Sequence, residues 1–407
     1  MHTALVTFLA ASLRRKWKYL VLPLWFGLCF IAVCLEAFHG NINNYIIFKH
    51  VFLHVKEQLP LYIAYPESYF DVNLYGPIFS LVIAPFSIFP DTVGAILWGM
   101  ANALFLYAAI RQLPLTKTQQ YLILLFSANE LMGASSYFQF NTAIAACILL
   151  TYACIHKGKD VWAAFFVVLG TFTKLYGIVG LAFFFFSEHK LKFVVSVLLW
   201  SVLFFVLPML LSSPAYIIGS YVEWFESLSH KHANNMQFEQ GVLLQDISAG
   251  GFIRRVFHWP EMKNIYVFGP AVVLFLSQYI WLKYRRNRYY QLYILCTTLL
   301  FPVLFSSSSE ACTYIIAFPA VCIWYVAAAP LQWRHILFGF IVVVCSFSHS
   351  DIFTPWVRHN IAVPYAIKAF PCLVLWLLII YEVLTRHFLR EPGIAVELGA
   401  DRLPGED

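Results

Sequence analysis

Residues 17–38 read WKYLVLPLWFGLCFIAVCLEAF, an almost wholly apolar run that comes early in the chain. A helix needs roughly twenty consecutive apolar residues to cross the hydrocarbon core of a bilayer, and this run supplies them. Basic residues flank its start, and such residues favour the cytoplasmic side of a membrane: Arg14, Arg15, Lys16 and Lys18. The stretch therefore predicts a first membrane-spanning helix that begins in the cytoplasm.

The composition of the whole chain is that of a polytopic membrane protein. Hydrophobic residues make up 61% of it and charged residues only 12%, which excludes an ordinary water-soluble protein. The formal net charge is +6 at pH 7, but the basic residues lie in short segments between apolar runs, where membrane topology requires them. We therefore expect membrane lipids and no nucleic acid among the partners of this chain.

Apolar runs separated by short basic turns predict an all-α fold of about 12 transmembrane helices. Residues 77–90 are proline-containing and too short to span, so we expect them to be interfacial or re-entrant. Both termini then lie in the cytoplasm. Residues 1–390 form a single transmembrane domain, and 391–407 form a short cytoplasmic tail that we expect to be disordered. The predicted spans are 17–38, 92–111, 119–134, 141–156, 161–173, 175–187, 191–212, 264–283, 289–306, 311–328, 334–350 and 364–386.

Polar and ionisable residues gather in the predicted outer loops, chiefly 38–91 and 213–263, whereas the inner side receives mostly short basic turns. This asymmetry predicts an extracytoplasmic active site in an integral protein of a bacterial cytoplasmic membrane. The chain contains no G-x-x-x-x-G-K-[ST] motif and no G-x-G-x-x-G motif after a strand-like run. A soluble cytoplasmic nucleotide is therefore not the expected substrate.

Several short motifs follow one another over residues 37–330. They are Tyr75-Gly76-Pro77 with Ala84-Pro85-Phe86, Pro90-Asp91 and Leu97-Trp98; Phe138-Gln139-Phe140-Asn141; Thr173-Lys174-Leu175-Tyr176-Gly177; Gln245-Asp246-Ile247-Ser248 with Arg254-Arg255; and Ser309-Glu310 with Thr313-Tyr314. Together they resemble the glycosyltransferases of family 87, which belong to the C-type superfamily of membrane glycosyltransferases. The resemblance implies a C-type glycosyltransferase fold whose long first extracytoplasmic loop carries interfacial helices.

The same resemblance implies an activity. Similar proteins transfer a sugar, often mannose, from a polyprenyl-phosphate donor to a glycan or lipid acceptor, and we expect such a transfer here with inversion at the sugar. Many family members place an aspartate in the first loop shortly after the first helix, where this chain has Asn43-Asn44. The catalytic carboxylate is therefore expected elsewhere in the loop.

The reaction itself calls for one carboxylate and nearby cations. A lipid phosphate leaves as a stable anion, whereas the acceptor hydroxyl needs a general base. Asp71 is the first candidate for that base because it lies close to the return of the loop to the membrane, and Glu67 is the second. Asp71 also suits a helix cap or turn, and Glu67 also suits a solvated turn.

Cations are needed for the phosphate of the donor. Lys174, between the short apolar runs 161–173 and 175–187, suits a lipid-linked phosphate as a compact point charge, or else marks the interface as a snorkelling lysine. Arg254 and Arg255 fall in residues 243–258, which predict an amphipathic helix lying on the membrane. They suit either the donor phosphate or lipid headgroups.

Further substrate contacts are predicted from side-chain chemistry. Gln139 and Asn141 lie among aromatic residues, a mixture that suits a sugar ring, although Asn141 also suits a helix cap. Glu310 suits a helix start whatever the function. The loops hold no Asp-x-Asp pair, and His50 with His54 alone is weak evidence for zinc, so we expect no metal and no cofactor. The complete set of predicted substrate-binding residues is Asn44, Tyr75, Gln139, Asn141, Asp246, Glu310 and Tyr314.

Two other functions stay open. A secondary transporter or flippase for lipid-linked glycans usually has two similar halves and ionisable groups near the middle of the bilayer, whereas this chain gathers its ionisable groups at one surface. An O-antigen-type polymerase or ligase shares the one-sided loops and the donor type. Only the family resemblance separates that reading from a glycosyltransferase.

Overall fold

A computed structural model describes residues 2–235, 245–349 and 354–391 of the chain. Throughout these residues the regular structure is helical, without a β-strand, so the predicted all-α class is confirmed. The backbone divides into two compact units. The first comprises Met1–Ile178 and Leu191–Ala233, and the second comprises Val179–Lys190 and Asn234–Asp407.

The first unit is built on long apolar helices that pack side by side. Helix α1 packs against α4 and α5, and α6 packs against both α4 and α7. The α1–α4 contact is close, because a Cβ atom on Gly99 would lie 2.4 Å from a methyl carbon of Val33. The helices are α1 (His2–Phe38), α2 (Asn43–Glu57), α3 (Phe79–Ser87), α4 (Asp91–Gln112), α5 (Lys117–Ser136), α6 (Asn141–His156), α7 (Asp160–Thr173), α8 (Lys190–Val206) and α9 (Pro214–Asn235).

The predicted first loop, 38–91, carries two of these helices, α2 and α3, which pack on each other. The Tyr45 hydroxyl of α2 donates a hydrogen bond of 2.9 Å to the Phe86 carbonyl of α3. Helix α3 has 9 residues, a length of about 13 Å against a hydrocarbon core of about 30 Å. As predicted, residues 77–90 do not form a full spanning helix.

The second unit is assembled around α12, which packs against α13 and α16. The 3₁₀ segment Leu175–Phe186 begins in the first unit and continues into the second. The helices are α10 (Ala249–Val256), α11 (Ile265–Ser277), α12 (Arg288–Leu304), α13 (Tyr314–Ala327), α14 (Gln332–Ile341), α15 (Pro355–Val357) and α16 (Ala369–Leu384). A 3₁₀ segment, Gln278–Tyr284, extends α11, and the π-helical segment Val342–Phe347 extends α14.

A buried charged network ties the end of the second unit together. Arg334 donates to Glu382 at 2.7 Å and to Glu391 at 2.9 Å, and the Tyr293 hydroxyl donates to Glu391 at 2.7 Å. All four side chains are buried, and removal of one partner would leave an uncompensated charge in a medium of low dielectric constant. Glu391 is therefore anchored, and the rest of the tail predicted over 391–407 lies outside the described residues.

The membrane spans agree only in part with the predicted set. By length and composition, four helices of the described chain suffice to cross a membrane: Trp17–Phe38, Asp91–Gln112, Lys190–Leu210 and Ile265–Tyr284. Other apolar helices are shorter: Asn141–His156, Asp160–Thr173, Leu175–Phe186, Ala311–Ala327, Gln332–Phe347 and Ala369–Leu384. Helices α5 and α12 belong to neither group. Nearly all of α12 is buried by protein, so it does not need a lipid-compatible surface. The count of about 12 spans stays a prediction.

Candidate active site

Lys174 lies at a sharp break in the chain between α7 and the following 3₁₀ segment. Its backbone is extended, with φ −150° and ψ 114°, so α7 cannot continue through it. The chain then turns back closely, because a Cβ atom on Gly177 would lie 2.2 Å from the carbonyl carbon of Gly170. Only glycine permits this approach. The helix interruption predicted at Lys174 is confirmed.

The side chain of Lys174 is held by an amide and two aromatic rings. Its Nζ donates to Asn141 Oδ1 at 2.6 Å, and it lies 5.5 Å from the ring centroid of Tyr75 and 5.3 Å from that of Tyr176. The Tyr75 hydroxyl donates to Gln139 Oε1 at 3.1 Å. We call Tyr75, Gln139, Asn141, Lys174 and Tyr176 the lysine cluster. It brings together four residues whose roles were predicted separately.

Tyr75 is fixed by its own segment of the first loop. The Asn73 side chain donates to the Tyr75 carbonyl at 3.1 Å and accepts from the Tyr75 amide at 3.0 Å. The Tyr62 hydroxyl donates to the same carbonyl at 3.0 Å. Asn73 is almost completely buried, so these bonds are shielded from competing water. The Tyr75 ring therefore has a defined position over Lys174.

The same loop segment is locked onto the end of α7. The Gly76 amide donates to the Thr173 carbonyl at 3.2 Å, and a Cβ atom on Gly76 would lie 2.1 Å from the Phe172 carbonyl oxygen. Trp224 of α9 donates from its indole nitrogen to the Leu74 carbonyl at 2.9 Å. We call these contacts the loop interlock. It places the first loop directly beside the residue that precedes Lys174.

An aromatic layer supports the amide side of the lysine cluster. Trp98 of α4 donates to the Phe138 carbonyl at 2.9 Å and stacks on Phe140 with centroids 5.5 Å apart. Phe138 has a φ of 52°, in the left-handed region, so the chain bends sharply before Gln139. Asn141 is the first residue of α6, and its Oδ1 accepts from Lys174. The bend directs both amide residues to the cluster.

Asp71, the first candidate base, lies in a strained turn. Its φ of 81° falls in the left-handed region, which aspartate tolerates because its short side chain bonds the local backbone. Its Oδ1 accepts from the Val72 amide at 2.8 Å, and the residue is exposed. Glu67 is exposed as well. Within the described chain, neither carboxylate forms a hydrogen bond or ion pair with the lysine cluster.

Asn43 and Asn44, at the start of α2, act as backbone clamps. The Asn43 side chain donates to the Phe70 carbonyl and accepts from the Phe70 amide, each at 2.7 Å. The Asn44 side chain donates to the Tyr137 carbonyl at 2.9 Å. These bonds connect the Asp71 turn, through α2, to the motif that carries Gln139. The substrate contact predicted for Asn44 stays a prediction.

The arginines predicted to bind phosphate lie in the second unit and are buried. Arg254 is 1% exposed and donates to the carboxylate of Asp246 and to Asn264 Oδ1, the latter at 2.7 Å. Arg255 donates to the Val363 carbonyl at 2.9 Å and to the Gln245 carbonyl at 2.6 Å. Burial raises the pKa of Asp246, while Arg254 opposes that rise.

The amphipathic helix predicted over 243–258 is shorter than expected in its described part, and its position on the membrane stays a prediction. Helix α10 covers only Ala249–Val256, and residues 243–244 lie outside the described chain. Its two arginines are buried, and they donate to a carboxylate, to the Asn264 side chain and to carbonyl oxygens of the unit. Contact with the donor phosphate stays a prediction for both.

Glu310 and Tyr314 have structural partners in the second unit. Glu310 caps the short 3₁₀ turn Ala311–Thr313, and its own amide donates to the Thr313 hydroxyl at 3.1 Å. The Tyr314 hydroxyl donates to the Ile247 carbonyl at 2.9 Å. Glu310 therefore lies at the start of a helical turn, as its position in the sequence indicated. Substrate contact by Glu310, Tyr314 or Asp246 stays a prediction.

A sequence model of glycosyltransferase family 87 matches residues 73–307, which is more than half of the chain. The chain belongs to glycosyltransferase family 87. This family 87 protein is therefore a membrane glycosyltransferase, with a sugar donor and an acceptor as its substrates. The matched range contains the lysine cluster, whereas Glu67 and Asp71 precede it. Comparison with curated proteins finds no match.

Three residues of this family 87 site carried no predicted role. Tyr176 stands two positions after Lys174 in the motif of residues 173–177. Its aromatic ring was the one feature in the sequence that could have indicated a place in the site. Asn73 was one of many polar residues in the first loop. Trp224 comes from a distant helix, and no spacing in the sequence relates it to Leu74.

A pair of histidines on α2, His50 and His54, lies against Tyr69, two residues before Asp71. The ring centroids of His50 and His54 are 5.2 Å apart, and both rings contact the ring of Tyr69. Burial, together with the neighbouring His50, lowers the pKa of His54 to about 4. No group of three or more His, Cys, Asp or Glu side chains in the described residues is placed to hold a metal ion.

We predict that the protein loses stability as the pH falls from about 7 to about 5. Because the folded-state pKa of His54 lies below its ordinary value of 6.5, the unfolded chain takes up the proton first. The stability present above pH 6.5 is lost as the pH falls toward the folded pKa. Thermal unfolding of wild type and His54→Gln at both pH values measures this loss, which should be smaller in the variant.

His39→Gln serves as the matched control, since His39 lies exposed in the same loop. Its unfolding temperature should depend on pH as that of wild type does. An equal loss in wild type and His54→Gln would contradict the assignment.

Proposed function

We propose that this protein transfers a mannose-like sugar from a polyprenyl-phosphate donor to a glycan or lipid acceptor. The transfer takes place on the extracytoplasmic side of a bacterial cytoplasmic membrane. The lysine cluster carries the proposal, since it holds a partly exposed ammonium group between two tyrosine rings and an amide oxygen. Membership of family 87 favours transfer over transport.

The cluster suits the phosphate of the donor. An ammonium group is a compact charge with three donor hydrogens, and here Asn141 Oδ1 orients it with a bond of 2.6 Å. The rings of Tyr75 and Tyr176 add cation–π attraction and limit access of water. A snorkelling lysine would extend to the interface without such partners. A cation positioned in advance stabilises the negative charge that develops on a leaving phosphate.

In the proposed reaction, a first-loop carboxylate takes the proton of the acceptor hydroxyl. The acceptor oxygen bonds to the anomeric carbon while the bond from that carbon to the phosphate oxygen breaks, and polyprenyl phosphate leaves. A single displacement of this kind inverts the anomeric centre. We propose Asp71 as the base because its carboxylate is exposed and oriented by the Val72 amide. Glu67 is the second candidate.

We propose that the buried arginines contribute less than Lys174 to binding of the donor phosphate. The guanidinium of Arg254 already bonds Asp246, Asn264 and the Met262 carbonyl. Releasing such a buried charge from its partners is costly. We therefore propose that Lys174 makes the principal contact with the donor phosphate.

Replacement of Asp71 by asparagine should lower kcat at least about 100-fold, because general-base catalysis contributes factors of that size. Asparagine keeps the shape of the side chain and tolerates the left-handed backbone. Glu67→Gln removes the neighbouring carboxylate and should retain activity within a few-fold. Sugar transfer from polyprenyl-phosphate mannose in vesicles measures both. Full activity of Asp71→Asn, with loss in Glu67→Gln, would move the base to Glu67.

Replacement of Lys174 by glutamine should raise the KM for the donor about tenfold or more, since hydrogen bonds to charged groups contribute about 1.5–3 kcal/mol. Lys174→Arg keeps the charge and should recover part of the affinity. Lys49→Gln is the control, because Lys49 lies in the first loop and pairs with Asp91 there, and surface pairs of this kind contribute little. An unchanged donor KM in Lys174→Gln would refute phosphate contact by this lysine.

A further inference from the structure

We infer that Phe70 and Tyr137 form a stacking platform for a sugar ring of the acceptor. This inference rests on the proposed function, because it assigns the binding site of the acceptor in that reaction. Both residues expose a large part of an aromatic side chain, at 78% for Phe70 and 49% for Tyr137. Each is held through its backbone by a half-buried asparagine of α2.

Phe70 is held more firmly than an exposed loop residue needs to be. Asn43 bonds both its carbonyl and its amide, each at 2.7 Å, so the backbone of Phe70 cannot rotate without breaking two bonds. The next residue is Asp71, the proposed base. An aromatic residue with a fixed backbone, next in sequence to a carboxylate, can offer an apolar face for the C–H side of a sugar near an acceptor for its hydroxyl.

Tyr137 is fixed from the same turn of α2. Asn44 donates to its carbonyl at 2.9 Å, and Tyr137 stands two residues before Gln139 of the lysine cluster. Because Asn43 and Asn44 are consecutive, the two ring-bearing segments are tied to one helical turn. Because both segments are already ordered, a sugar that binds this platform does not incur the entropic cost of ordering loops.

The chemistry of sugar transfer indicates where the acceptor must bind. The reacting hydroxyl of the acceptor must lie between the base that takes its proton and the anomeric carbon of the donor. Phe70 adjoins the base, and Tyr137 adjoins the cluster proposed to hold the donor phosphate. We infer that an acceptor ring on these two side chains would be presented to both reacting groups. Simple anchoring at the lipid interface, the other common use of exposed aromatic residues, does not require clamps on their backbone.

The test compares a planar ring with an aliphatic side chain of similar hydrophobicity. Phe70→Leu keeps the apolar surface and loses the ring face, whereas Phe70→Trp keeps a ring. Tyr137→Leu tests the second member. Phe38→Leu is the matched control, since Phe38 is 77% exposed at the start of the same loop and has no part in the platform. The probe is octyl mannoside, with its Kd measured in nanodiscs and its KM measured as acceptor.

Phe70→Leu and Tyr137→Leu should each raise the Kd and KM for octyl mannoside about three- to tenfold, as expected for loss of an aromatic contact. Phe70→Trp should restore both values to near wild type, and the KM for the donor should not change. Phe38→Leu should match wild type. This pattern would establish the platform together with the proposed function.

The remaining outcomes separate the two proposals. If wild type binds octyl mannoside through Phe70 but does not use a polyprenyl-phosphate donor, the platform stands and the proposed reaction fails. If transfer proceeds while the affinity of Phe70→Leu for octyl mannoside is unchanged, the platform is refuted and the reaction stands. Absence of binding to wild type, or equal effects of Phe70→Leu and Phe38→Leu, also refutes the platform.

Discussion

The hydrogen bond from the Gly76 amide to the Thr173 carbonyl is the contact on which the site depends. It joins the first loop to the end of α7, one residue before Lys174. The backbones approach so closely that any side chain at position 76 would collide with the Phe172 carbonyl. This constraint allows the Tyr75 ring to lie over the Lys174 ammonium, and it gives the Tyr-Gly-Pro motif a physical reason.

The cations of this protein are used in two ways. Arg254 and Arg334 are buried against carboxylates, which cancel their charge and stabilise the second unit. Among its contacts, Lys174 has the amide oxygen of Asn141 and two tyrosine rings, which orient its ammonium group. A preorganised charge of this kind is what a departing phosphate requires.

Hydrophobic patterning predicted much of the fold, because the bilayer imposes strict rules on apolar length and on proline. It identified the all-α class, the break at Lys174 and the absence of a full span within residues 77–90. Sequence motifs of mixed polar and aromatic character also named the four cluster residues Tyr75, Gln139, Asn141 and Lys174, which lie together in the structure, while their substrate roles stay predictions. The burial of Arg254 and Arg255 was missed because an amphipathic pattern cannot tell a face turned to lipid headgroups from one turned to carboxylates. The contact of Trp224 was missed because its partner is remote in sequence.

The most direct test of the account is a structure determined with polyprenyl phosphate, the proposed leaving product, bound to the protein. The account predicts a phosphate oxygen about 3 Å from Lys174 Nζ, within the range of a charge-assisted hydrogen bond, with the phosphate beside the rings of Tyr75 and Tyr176. A phosphate bound elsewhere in the protein, with no oxygen within hydrogen-bond distance of Lys174 Nζ, would contradict it.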